Sequence, residues 1–131
     1  MVIVIMGALA VVAIPKFSQS PYDVEAAAGE LIQAIRYAQG KSMTDVGSSK
    51  YQIAITASGY TVTQNGTSIT HPITQAGTYS KTWTDISISS AATIVFDGYG
   101  EPTSGAPASF TLSKGSNSKM ITVEAVTGFV R

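Results

Sequence analysis

The sequence predicts an α+β fold, with one long N-terminal helix packed on an antiparallel β head of about seven short strands. Three observations predict it. Apolar residues recur at helical spacing as far as Met43. From Lys50 onward they alternate with a period of two. The change of period falls at Asp45-Val46-Gly47-Ser48-Ser49, a stretch of turn residues. The natural division is therefore 1–47, the N-terminal helix with 1–17 as its apolar segment, and 48–131, the β-rich head. A chain of 131 residues suits one domain with an appendage, and 44% apolar residues supply a core.

The chain opens on MVIVIMGALAVVAIPKF, with no charged side chain before Lys16. Fourteen apolar residues precede Pro15. As a helix they reach about 21 Å, against about 30 Å of bilayer hydrocarbon. The run is too short to span alone. No basic segment precedes it and no evident cleavage site follows, so it makes a poor signal-peptide core. Two readings remain: an ordinary single-pass anchor, or a longer span that begins upstream of Met1.

Ser20-Pro21-Tyr22-Asp23 reads as a helix start, with Ser20 as the cap and Pro21 in the first turn. Val24, Ala28, Leu31, Ile35, Ala38 and Ser42 then form a stripe, widened by Ala27 and Ile32, with Met43 nearby. Asp23, Glu25 and Glu30 near its start, with Arg36 and Lys41 near its end, suit the helix dipole. Gly40 weakens it. Strands are expected at Tyr51–Thr56, Tyr60–Thr63 and Thr67–Thr70, the latter two joined by Asn65-Gly66, a type I′ hairpin signal. His71-Pro72 stops the third strand. Residues 73–81 read as loop with one short strand. Trp83–Ser89, Thr93–Phe96, Ser109–Ser113 and Lys119–Ala125 follow as strands. Asp97 to Pro107 reads as a turn-rich loop, and Thr127–Arg131 as a short strand or tail.

Charge argues against one function class. Eight basic and eight acidic residues cancel, and they balance in each part of the chain. No basic block marks a nucleic-acid binder. There is no cysteine, hence no disulfide and no thiolate metal cluster. From Ser48 on, 27 of 84 residues are Ser or Thr, a composition common in exposed extracytoplasmic β domains. No nucleotide, metalloprotease or hydrolase motif occurs, so neither an enzyme nor a cofactor is expected. The single histidine, His71, reads as a surface turn residue. Asp97 and Glu101 flank Gly98-Tyr99-Gly100 and are weak candidates for a Ca²⁺ site, with a solvated β-turn as the plainer reading.

Several stretches carry a family resemblance. Residues 7–17, GALAVVAIPKF, resemble the end of the N-terminal segment of type IV pilins and type II secretion pseudopilins. Gly7 and Pro15 stand at the spacing of that family's Gly and Pro. Phe96-Asp97-Gly98-Tyr99-Gly100-Glu101-Pro102 is similar to the GspH/FimT group of minor pseudopilins and minor pilins. So are Ile121-Thr122-Val123 with Thr127 to Arg131, and the helix segments Glu30-Leu31-Ile32, Arg36-Tyr37-Ala38-Gln39 and Ser42-Met43. The match is discontinuous but runs the full length, and within the group it leans towards MSHA-type, MshC-like minor pilins.

The resemblance implies a pilin-like structural and assembly subunit of a type IV pilus (MSHA-like) or a type II secretion pseudopilus. Its partners would be other pilin or pseudopilin subunits, met through the N-terminal helix, and the bacterial inner membrane before assembly. It would be a single-pass protein with a periplasmic head, later moved into the pilus or pseudopilus. Gly7, Ala8, Ala10 and Ala13 supply small residues for close helix packing, and Gly7 and Pro15 bound a segment able to unwind. The leader, the processing site and the family's glutamate near the mature N-terminus would lie upstream of Met1. Some FimT-like minor pilins bind DNA through a terminal Gly-Arg-x-Arg. Here Gly128-Phe129-Val130-Arg131 keeps only Arg131, so nucleic acid is not expected, and Phe129 is expected to pack on the sheet. The rival reading is a membrane-anchored module whose β head binds DNA, glycan or a secreted substrate. Its stacking platforms would be Tyr60, Tyr79, Trp83 and Tyr99.

Overall fold

The computed structural model describes residues 20–45, 50–104 and 108–131. Among the described residues one helix, α1 (Ser20–Thr44), is followed by nine strands. These are β1 (Tyr51–Ile55), β2 (Gly59–Gln64), β3 (Thr67–Ser68), β4 (Ser80–Thr82), β5 (Ser87–Ile88), β6 (Ala92–Phe96), β7 (Pro102–Ser104), β8 (Ala108–Lys114) and β9 (Asn117–Val123). The described helix begins one residue ahead of the expected Pro21 start, within the usual latitude of a helix end.

The strands form two antiparallel sheets. The larger has the order β3-β2-β1-β6-β7, with β4 on the same side of β2 as β3. The smaller has the order β5-β8-β9. Alternation decides what faces inward. Tyr51, Ile53 and Ile55 of β1 are buried, as are Tyr60 and Val62 of β2 and Ile94 and Phe96 of β6. In the smaller sheet the same holds for Phe110, Leu112, Ile121 and Val123. Register aligns these faces: Ile53 lies opposite both Val62 and Ile94, and Phe110 lies opposite Ile121.

The helix closes the core from one side. Val24, Ala27, Ala28, Leu31, Ala34, Ile35 and Ala38 are buried in one cluster with both sheets. Small residues at four of these seven positions let the helix backbone sit close to the strands. Ser42 is the polar end of the stripe, and its Oγ accepts the Tyr51 amide at 3.1 Å. Asp45 accepts the Tyr51 hydroxyl at 2.7 Å and the Gln64 side-chain amide at 3.2 Å. Thus the end of α1 is tied to the first hairpin. That hairpin turns at Asn65 and Gly66 with φ of 49° and 82°, the type I′ signature expected from the sequence.

Three strand assignments differ from expectation. Thr67–Thr70 is a strand only as far as Ser68, because the Val62 amide donates to the Tyr79 carbonyl and β4 takes the rest of that edge. Trp83–Ser89 is a crossing between sheets, with β4 pairing to β2 and only β5 reaching β8. The expected loop after Asp97 contains β7, which pairs back on β6. Pro102 argues against a strand in sequence, but β7 lies at the sheet edge, where proline is tolerated.

Candidate functional site

Three sequence segments far apart in the chain meet beside the last turns of α1. Gln39 Nε2 donates to the Gly100 carbonyl at 2.9 Å and to the Thr127 carbonyl at 3.0 Å. Arg36 donates to the Val130 carbonyl at 3.4 Å. One helix face thereby holds the β6–β7 turn and the C-terminal tail together. The fit requires glycine twice. Gly100 has φ of +81°, and a Cβ there would stand 2.7 Å from Met43 Sδ. Gly128 has φ of +65°, and a Cβ there would stand 2.6 Å from the Gly100 carbonyl oxygen. Left-handed backbone and lack of room both exclude a side chain.

The tail is built as a fourth, short member of the smaller sheet. The Thr122 and Arg131 backbones exchange hydrogen bonds at 2.9 and 3.1 Å, and Val130 is buried. Phe129, expected on the sheet, is instead 57% exposed. Alternation is the reason: with Val130 turned into the core, its neighbour must face out. Arg131 pairs with Glu124 at 2.9 Å, so its charge is offset locally.

At the other end of α1 lies an open groove of about 360 Å³. Asp23, Glu30, Trp83, Asp85 and Lys114 line it. Lys114 Nζ reaches Asp23 at 2.7 Å and Asp85 at 3.8 Å, and its hydrogen bond to Asp23 raises its pKa. Behind the groove runs an aromatic row. Tyr37 meets Tyr79 edge-on at 5.2 Å, Tyr79 meets Tyr60 at 6.1 Å, and Tyr60 meets Trp83 at 5.8 Å. Tyr60 donates to Glu30 at 3.2 Å. Burial foremost, and then the Glu30 charge, push the Tyr60 phenol well up.

The residues singled out from sequence have varied positions. Gly7, Ala8, Ala10, Ala13 and Pro15 lie outside the described residues. Asp97 and Glu101 do sit together, but Asp97 Oδ1 is turned inward, accepting the amides of Tyr99 and Glu101 at 2.9 Å each. Among the described residues no three His, Cys, Asp or Glu gather to hold a metal ion. His71 packs against Tyr79 in a tilted contact with ring centroids 4.3 Å apart, and its Nδ1 accepts the amides of Ile73 and Thr74. Of the four stacking platforms, Tyr60 and Tyr79 are buried and Trp83 is half-buried in the core, leaving Tyr99 at 86% exposure. Gln39 falls within one of the family-like helix segments, but its role required the fold. Its only signal in sequence is a carboxamide next to the apolar stripe.

The family comparison decides what this arrangement belongs to. The family described as type II transport protein GspH matches residues 27–127. The chain belongs to the GspH family. Its matched region begins on α1 and ends at the tail residue that Gln39 holds. Solved structures agree on the fold. The chain is similar to the type IV minor pilin FimU of Pseudomonas aeruginosa (strain PAO1), seen in two crystal forms. One gives a TM-score of 0.58 at 14% identity, covering 82% of this chain and 90% of FimU. The other gives 0.59 at 14% identity, covering 84% and 87%. Both show the pilin fold, a helix packed against an antiparallel β head. No curated protein matches the sequence. In this GspH-family chain, no helix among the described residues is long and apolar enough to cross a membrane.

Proposed function

We propose that this chain is a minor pilin or pseudopilin, a structural and assembly subunit rather than an enzyme. The observation that carries the proposal is the Gln39 clasp. It gathers the helix, loop and tail segments of the GspH/FimT resemblance into one mechanical unit, with no catalytic group at its centre. In this reading, 1–47 is the assembly helix and 48–131 the head. Residues 1–17 hold the subunit in the bacterial inner membrane and then move among the helices of other subunits. Gly7, Ala8, Ala10 and Ala13 permit close approach there, and Pro15 loosens the helix. The head faces the periplasm. The leaning of the motifs towards MSHA-type subunits favours a type IV pilus over a secretion pseudopilus. The rival reading of a ligand-binding head is weakened, because three of its four aromatic platforms belong to the core.

Co-purification tests the proposal. Full-length tagged chain, expressed in its own host and extracted in mild detergent, is expected to bring down pilin or pseudopilin subunits. Recovery of a glycan or a secreted protein, with no pilin subunit, would favour the rival.

A further inference from the structure

The groove near the start of α1 has a chemistry that the proposed function does not use. Asp23 and Glu30 stand about two turns apart on one face of the helix, and the small side chains of Ala26 and Ala27 between them leave room above it. The other wall is the crossing between the sheets, which supplies Trp83 and Asp85. Lys114, the last residue of β8, completes the lining. Three carboxylates thus face one ammonium.

That ammonium is already occupied. Lys114 Nζ lies 2.7 Å from Asp23 and reaches Asp85 only at 3.8 Å. Glu30 is half-buried and forms no ion pair among the described residues. It accepts a hydrogen bond from the neutral Tyr60 hydroxyl, and the Tyr60 ring in turn braces the Trp83 indole at 5.8 Å. One tyrosine therefore fixes both a carboxylate that lacks a cation and an aromatic ring on the same groove. A guanidinium satisfies both at once, since its planar fork matches a carboxylate and its flat face stacks on an indole. We infer that the groove binds an arginine side chain presented by a partner polypeptide. The guanidinium lies between Glu30 and Trp83, with the exposed Asp85 carboxylate as its outer counter-charge. Lysine is the poorer fit, because its ammonium is a compact, strongly hydrated point charge. Phosphates and acidic sugars meet the repulsion of three carboxylates. A neutral sugar would use the indole but leave Glu30 without a cation.

Trp83 is the chain's single tryptophan, so its fluorescence reports on the groove. Full-length chain in mild detergent is titrated at constant ionic strength with acetyl-Gly-Arg-Gly-amide. The same peptide with lysine, or with citrulline, which keeps the shape of arginine without its charge, serves as comparison. The arginine peptide is expected to shift Trp83 emission saturably, with a half-saturation severalfold below that of either comparison peptide. Glu30→Gln, still able to accept from Tyr60, should raise the half-saturation severalfold. Lys114→Met should lower it severalfold, because Asp23 and Asp85 lose their cation. Thermal unfolding checks that each variant folds, with the exposed Asp85→Asn in reserve for Glu30→Gln and expected to act in the same direction. Equal responses to arginine and citrulline, no effect of the carboxylate variants, or binding that does not tighten in Lys114→Met would overturn the inference. So would a response to N-acetylglucosamine with none to the arginine peptide. The groove lies in the head, so this titration reads it whether or not pilin subunits co-purify with the chain.

Discussion

Gln39 is the residue whose loss should be felt furthest along the chain. Its one nitrogen satisfies carbonyls 61 and 88 residues away. Gln39→Ala should cost about 1–2 kcal/mol, read from the urea midpoint. Gly128→Ala should cost more, at least about 2 kcal/mol, because it adds left-handed strain to a steric clash. A Gly128→Ala chain as stable as the parent would mean that the tail does not dock this way. The helix glycines give the opposite sign. A Cβ at Gly29 or Gly40 meets nothing within 4 Å. Alanine at either position should therefore stabilise by about 0.5–1 kcal/mol, measured in the same titration.

At the scale of elements, the question is what fixes α1 to the sheets. Leu31 is fully buried between the helix and both sheets. Leu31→Ala should cost about 2–5 kcal/mol and lower the thermal midpoint. Lys114→Met, which cuts the ties to Asp23 and Asp85, should shift it far less. Those groups are partly exposed and water screens the pair. If the two variants lowered the midpoint equally, electrostatics rather than packing would be holding the helix. The edge strands follow a related rule. β3 and β4 share one side of β2, so neither can be long.

The whole molecule responds to alkali through its buried tyrosines. Burial foremost, then the bond to Asp45, raises the Tyr51 phenol from 10.0 to about 12. Burial also raises Tyr60 and Tyr79. The folded state thus keeps protons that the unfolded chain releases near pH 10. That stabilisation is intact below pH 10 and is lost as pH climbs towards the folded values. For Tyr51 the window is 10.0 to about 12. Phenolate absorbance and far-UV circular dichroism should change together above pH 10. In Tyr60→Phe the fall in stability over this window should be shallower. Ionisation of Tyr60 well ahead of any loss of secondary structure would show that water reaches its hydroxyl in the folded state.

Much of the fold is legible in the sequence. The stripe from Val24 to Ser42, the period-two runs and the Asn65-Gly66 turn are local patterns, and local patterns can be read from spacing. The Phe96–Pro102 and Thr127–Arg131 segments are recognisable as a resemblance, and the GspH match bears the family out. Their purpose is not legible there. It depends on Gln39 reaching both, across separations that no periodicity records.

Spacing and motif are thus enough to define the helix, the longer strands with their buried faces, and the family. Each follows from the short-range recurrence of apolar residues or from a short run of recognisable residues. Three further matters were decided only by tertiary structure. It gave the edge of β2 to Tyr79 and β4 instead of to Thr70. It turned Val130 inward and left Phe129 in water. It also gathered Met43, Tyr99, Val126 and Phe129 around one clasp. The physical reason is common to all three. Competition for a sheet edge, for core volume and for a single carboxamide is settled between residues far apart in the chain.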